Sequence, residues 1–198
     1  MATKKNRETW LNQAIIQMRP MFKQAGAPLP LNVRVTCGFP SKSAGRSSKQ
    51  RVGECWSADV SGDQTIEIIV SMVIDDDLRA LDILAHELVH AAVGLKCGHK
   101  GPFKTVALKI GLTGKMTATV AGPGLTEPLK TISAKIGPYP HAAIDFSDRK
   151  RQTTRMVKVV CADIGGDCGM VFRTTRKWVE HADGGMLCPA CHGGAFPE

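Results

Sequence analysis

Ala85-His86-Glu87-Leu88-Val89-His90-Ala91 sets two histidines four residues apart around a glutamate. On a helix this spacing places both imidazoles on one face, a turn apart. Two such rings are a ready-made pair of zinc ligands. Glu87 follows the first of them, so its carboxylate stands beside the metal and can take a proton from water that the metal activates. The flanking residues predict the helix. Asp75-Asp76-Asp77 supplies an N-cap and first-turn carboxylates, which the helix dipole favours. Leu78, Leu81, Leu84, Ala85, Leu88 and Ala92 then hold a 3.6-residue period through Val93, and Gly94 is the natural stop.

Upstream, Trp10, Ala14, Met18 and Phe22 recur every four residues, with Leu11 and Ile15 widening the stripe. They predict a helix over 7–25 that Pro20 kinks or divides. Residues 31–37 alternate like a half-buried strand, 38–48 read as a mobile basic loop, and further strands are expected at 53–57 and 65–70. Short spacings between the three favour an antiparallel meander. Downstream, a helix starts near Pro102 with Phe103, Val106, Ala107 and Ile110 on one face and ends at Gly111. Residues 112–139, rich in Gly, Pro, Thr and Ala, are given only a short helix around 129–136. The polar, basic stretch 146–154 marks a domain boundary, dividing the chain into 1–146 and 147–198. Strands followed by segregated helices make the class α+β.

A catalytic zinc takes three protein ligands and keeps a position open. A glutamate from a later helix is one source, but Glu127 lies between Gly124 and Pro128, where no helix is expected. A third histidine six residues after the second is excluded, because position 96 is lysine. The chain reverses after Gly94, and His99 is spaced to swing back over the ligand face. Cys97 and His141 are weaker candidates; a thiolate would add negative charge and lower the metal's Lewis acidity.

Four of the seven cysteines, Cys161, Cys168, Cys188 and Cys191, crowd the C-terminus. The first residues lead into no apolar run of the signal-peptide kind, and no apolar segment is long enough to span a bilayer. A cytoplasmic location with no membrane partner is therefore expected, and in a reducing compartment a cysteine cluster reads as a metal site. Cys188 and Cys191 have the two-residue spacing of structural zinc; Cys161 and Cys168, six residues apart, are looser. His181 or His192 in place of one cysteine is the main alternative. Between the pairs, 171–176 is expected as a strand, followed by Trp178. So short a segment with few large apolar side chains would depend on metal for its fold. The remaining Cys37, Cys55 and Cys97 read as small buried hydrophobes.

The net charge of +8 suits a polyanionic partner without demanding one. Arg149, Lys150, Arg151, Arg155 and Lys158 come without an intervening acid, as do Lys42, Arg46, Lys49 and Arg51. Such runs are either solvated loops or nucleic-acid contacts. Arg173, Arg176, Lys177 and Trp178 combine cations with a stacking surface that suits DNA, unless Trp178 is the small core of its unit.

His86-Glu87-Leu88-Val89-His90 followed by His99-Lys100-Gly101-Pro102-Phe103-Lys104 resembles the SprT-like zinc metalloprotease domain, the class of the DNA–protein-crosslink protease Spartan. In that family the motif helix gives two ligands, a third histidine opens a short His-Gly-x-x-Phe-like segment, and a small zinc-binding module often follows. Here Lys100 separates His99 from Gly101. Residues 111–140, including Gly137-Pro138-Tyr139-Pro140-His141, are similar to phage-carried members. The resemblance implies a zincin-like domain, with a three-stranded antiparallel sheet and N-terminal, motif and following helices, plus a C-terminal β zinc ribbon. It implies two zinc ions, one catalytic on His86, His90 and His99, one structural on Cys161, Cys168, Cys188 and Cys191. The activity implied is hydrolysis of peptide bonds in DNA-associated proteins, with Glu87 as general base. Tyr139 and His141 are the candidates to hold the tetrahedral oxyanion. The competing readings are a DNA-binding or adaptor protein with an inactive protease fold, and an inhibitor-like or purely structural phage component.

Overall fold

In the computed structural model the described residues are 6–41, 51–145, 156–162, 168–183 and 185–198. They form a mixed α+β structure with five helices and three sheets. The chain divides into two compact units, Met1–Ser147 and Asp148–Glu198.

The first unit begins with α1, Arg7–Gln24, capped by Asn6, whose side chain accepts from Thr9 N. Its buried stripe is Trp10, Leu11, Ala14, Ile15, Met18 and Phe22. Pro20 does not divide it. Pro20 and Ile16, the residue whose carbonyl the missing N–H leaves unpaired, both lie on the exposed face, where water can replace that bond.

Three strands follow: β1, Val33–Gly38; β2, Gly53–Trp56; and β3, Ile66–Ser71. The expected antiparallel meander is corrected to a mixed sheet of order β1-β3-β2, with β1 parallel to β3 and β2 antiparallel to it. Residues 39–52 between β1 and β2 are too many for a tight hairpin, so the chain can pass to the far side of β3. β3 takes the middle because its β-branched residues serve both faces: Ile68 and Val70 are buried, Ile66 and Ile69 half-buried. Val35, Ile68 and Cys55 form one cross-strand row toward the core. Lys42 and Arg46 of the expected loop, and Lys49 just after it, lie outside the described residues.

Helix α2, Asp77–Val93, carries the histidine pair. Asp76 caps it by accepting from Arg79 N at 2.7 Å, and Gly94, at φ 81°, ends it. Leu81, Leu84, Ala85 and Leu88 are fully buried against α1 and the sheet, each leucine contributing about 1.5–3 kcal/mol of burial. Helix α3, Pro102–Lys109, adds Phe103, Val106 and Ala107 to the core.

Residues 112–139 hold more structure than the sequence suggests. A hairpin pairs β4, Leu112–Lys115, with β5, Ala118–Ala121. Helix α4 runs from Pro123 to Ile136 and buries Leu125, Leu129, Ile132 and Ile136. Glu127 is therefore helical, contrary to expectation. Its carboxylate is exposed and pairs with Lys130 at 2.7 Å. Asp77 ties this end of the chain to the start of α2, accepting from Ser133 Oγ at 2.7 Å and from Tyr139 N at 2.9 Å.

The second unit is a four-stranded sheet of order β7-β6-β9-β8, built from β6, Met156–Cys161; β7, Val171–Thr175; β8, Met186–Leu187; and β9, Gly194–Pro197. The short helix α5, Arg176–His181, takes Arg176 out of the expected strand. Among its described residues the buried ones are Val159, Cys161, Cys188 and Ala195. Trp178 is not among them: it is 54% exposed. No helix among the described residues is long and apolar enough to cross a membrane.

Candidate metal centres

Helix α2 presents His86, Glu87 and His90 to a cleft of about 960 Å3. The floor is α2, with Arg79 and Ile83 joining the motif residues. β2 forms one wall through Gly53, Glu54, Cys55 and Trp56; the hairpin forms another through Lys115, Thr117, Ala118 and Thr119; Leu95, Gly98 and His99 close the end. The positive φ values of Gly94, Gly98 and Gly101 mark the reversal that returns His99 over the helix.

The three histidines meet through their Nε2 atoms. His99 Nε2 lies 3.3 Å from His86 Nε2 and 3.2 Å from His90 Nε2. Tetrahedral zinc with nitrogens at about 2.0–2.1 Å spaces its ligands about 3.3 Å apart, so the donor set fits such an ion. Phe103, fully buried, lies under all three rings with centroids 5.0, 4.4 and 4.9 Å from His86, His90 and His99. Burial, reinforced by the neighbouring rings, pushes His86 down to about 3 and His90 to about 4; His99 is lowered too, by burial and by Arg51. The rings are thus neutral at ordinary pH and keep lone pairs to donate. Among the described residues Cys97 and His141 do not join this group, and neither does Glu127.

Glu87 is 6% exposed, and burial pushes its carboxyl up to about 8, with the charge of Glu54 adding and that of Arg51 opposing. A cation beside it would favour the ionised form. Glu54, missed in the sequence, is itself buried and accepts from Ser41 N at 2.8 Å, Ser41 Oγ at 2.6 Å and Arg51 at 2.7 Å. Thr119, also missed, meets His86 Nδ1 at 2.8 Å. Neither has a local signal, because tertiary folding alone brings it to the motif.

The two oxyanion candidates are not brought to the cleft. Tyr139 is buried against Trp10, ring centroids 4.7 Å apart, and its hydroxyl donates to Cys37 Sγ at 3.4 Å. His141 Nε2 meets Met72 O at 2.8 Å and its Nδ1 faces Arg7 at 3.3 Å. Neither lines the cleft. Cys37, Cys55 and Cys97 are half-buried rather than buried.

In the second unit Cys161, Cys168, Cys188 and Cys191 converge with all four Sγ atoms within 4.8 Å of one another. Cys161 and Cys191 are 3.4 Å apart and Cys168 and Cys188 3.6 Å, near the ~3.8 Å edge of a tetrahedral site with zinc–sulfur bonds of about 2.3 Å. Backbone N–H groups of Cys191 and Ala190 hold the Cys188 thiol below its ordinary value, easing the thiolate a metal requires. His181 and His192 are outside the cluster. Arg173, Arg176, Lys177 and Trp178 are exposed on this unit, with Lys177 Nζ 5.7 Å from the Trp178 ring. Lys158 pairs with Glu198. Arg149, Lys150, Arg151 and Arg155 lie outside the described residues.

Compared with family models, with curated proteins and with solved structures, the chain matches none.

Proposed function

We propose that the chain is a zinc-dependent endopeptidase, its first unit a small zincin-like domain of the SprT-like kind. The observation that carries this reading is the convergence of three imidazole Nε2 atoms on the floor of a cleft, with a buried carboxyl directly after the first of them. Zinc held by His86, His90 and His99 would supply Lewis acidity toward a scissile carbonyl. Glu87 takes the proton of the attacking water and returns it to the leaving amine. Beyond β2 no strand is paired among the described residues, so its free N–H and C=O groups can receive an extended peptide along one wall of the cleft. Zinc held by the four cysteines would be structural, because four protein ligands leave no open position.

The substrate class we infer is DNA-associated proteins. Support comes from the exposed Arg173, Arg176, Lys177 and Trp178, cations beside a surface on which bases stack. The test uses the full chain loaded with zinc and a substrate protein supplied free or bound to DNA. Wild type is expected to cut both, the DNA-bound form faster and with strong salt dependence. Glu87→Gln is expected to keep two zinc ions per chain and lose roughly 10²–10⁴-fold in rate. Equal cleavage by wild type and Glu87→Gln removes the protease assignment; indifference to DNA removes only the substrate class.

A further inference from the structure

His86 is held unlike its neighbour on the same helix. Its Nδ1 lies 2.8 Å from Thr119 Oγ1, whereas His90 Nδ1 is buried with no hydrogen-bond partner among the described residues. Thr119 is only 5% exposed. It belongs to β5, and two residues along the same strand Ala121 N donates to Asp82 Oδ2 at 3.4 Å. Asp82 is in turn held by Arg79 at 2.8 and 3.0 Å. Residues 82 and 86 are one helical turn apart, and 119 and 121 share a strand face. β5 is therefore laid along α2 in a two-point register, one point of which is a metal-ligating ring.

The chemistry of that point is constrained. A neutral imidazole has one N–H, and if Nε2 is to give its lone pair to a metal the proton must sit on Nδ1. In a buried setting that N–H is costly to leave unpaired, and where an acceptor is in reach the bond it makes fixes both the tautomer and the ring orientation. The Thr119 hydroxyl oxygen is the acceptor in reach. We propose that Thr119 is a positioning residue of the three-histidine centre: it keeps the His86 proton on Nδ1, frees Nε2, and so raises the affinity of the centre for zinc. The inference rests on the metal-centre reading given above.

Thr119→Val keeps the shape and β-branching of the side chain and removes only the hydroxyl, while Thr119→Ser restores the acceptor. Zinc affinity is measured on the full chain by competition with a chromophoric chelator. Wild type is expected to show two zinc equivalents of separable affinity. Thr119→Val should weaken one of them by roughly ten-fold or more and leave the other unchanged, with Thr119→Ser close to wild type. Nitrogen-15 spectra of the zinc-free chain should show His86 protonated on Nδ1 in wild type and no longer so in Thr119→Val. Should the valine variant not fold, Thr119→Ala removes the same hydroxyl without burying a new methyl. Two zinc equivalents of unchanged affinity in the hydroxyl-free variant, or a serine variant as weak as valine, overturn the inference alone. A wild type that takes up zinc only at the cysteines overturns the three-histidine centre together with it.

Discussion

At Gly53 the edge strand passes so near α2 that an added Cβ would lie 2.5 Å from Glu87 Oε1 and 2.7 Å from Ile83 Cγ2. The glycine is required by this close approach, not by its backbone conformation. Gly53→Ala is expected to push the Glu87 carboxyl from its place, lowering hydrolysis while zinc stoichiometry holds. Overpacking of this kind costs about 1–3 kcal/mol, which a denaturant midpoint will register. An alanine variant with wild-type turnover and midpoint would mean that strand and helix part without strain. Gly53 also shows where single residues cease to be legible in sequence. His86, Glu87 and His90 declare themselves through helical spacing, and His99 through the chain reversal after Gly94. Gly53, Glu54 and Thr119 reach the same site from β2 and β5, and no periodicity near them reports it. Tyr139 and His141 fail for the opposite reason: as residue types they suit an oxyanion donor, but packing on Trp10 and a bond to Met72 O commit them elsewhere.

Among the elements, α2 was readable because cap, period and stop agree. Asp76→Ala removes the acceptor of Arg79 N, and the expected loss is about 1 kcal/mol (range ~0.5–2) in urea unfolding, with the zinc content of the folded chain unaltered. No change in midpoint would show that water caps the helix as well as the carboxylate does. α4 begins six residues before the expected 129–136 for an equally local reason. Pro128 argues against a helix, yet the carbonyl it leaves unpaired, at Gly124, and Pro128 itself both lie on the exposed face. The period of Leu125, Leu129, Ile132 and Ile136 then prevails, helped by Pro123 in the first turn, where a missing N–H costs nothing. Strand order is the harder lesson. Alternation in β1 and β-branched content in β3 place those strands, and the candidate at 53–57 places β2, all to within two residues at each end, but pairing is set by which strand is apolar enough to be central. Parallel pairing of β1 with β3 follows from that choice together with the length of residues 39–52.

At the scale of the whole chain, the two units hold their folds by different means. The first has a continuous apolar core running through α1–α4 and the sheet, with Trp10, Phe22, Phe103 and many leucines fully buried. Among its described residues the second has four that are buried, two of which, Cys161 and Cys188, are cysteines of the metal cluster. The partly buried side chains around them add one large aromatic, Phe172. Burial on that scale does not offset the ordering of so many residues, whereas free zinc at a thousand times the dissociation constant contributes about 4 kcal/mol. Stripping zinc from the full chain with a strong chelator is therefore expected to collapse the amide dispersion of residues 156–198 in a proton–nitrogen spectrum. The signals of 6–41 and 51–145 should stay dispersed, with shifts confined to the neighbourhood of His86, His90 and His99. Cys188→Ser should reproduce the loss in the second unit while the three histidines still bind zinc. If residues 156–198 remain dispersed without metal, the cysteine cluster is not what folds them. If the first unit also unfolds, its core depends on the ion that the cleft is proposed to hold, and zinc there would be structural as well as catalytic.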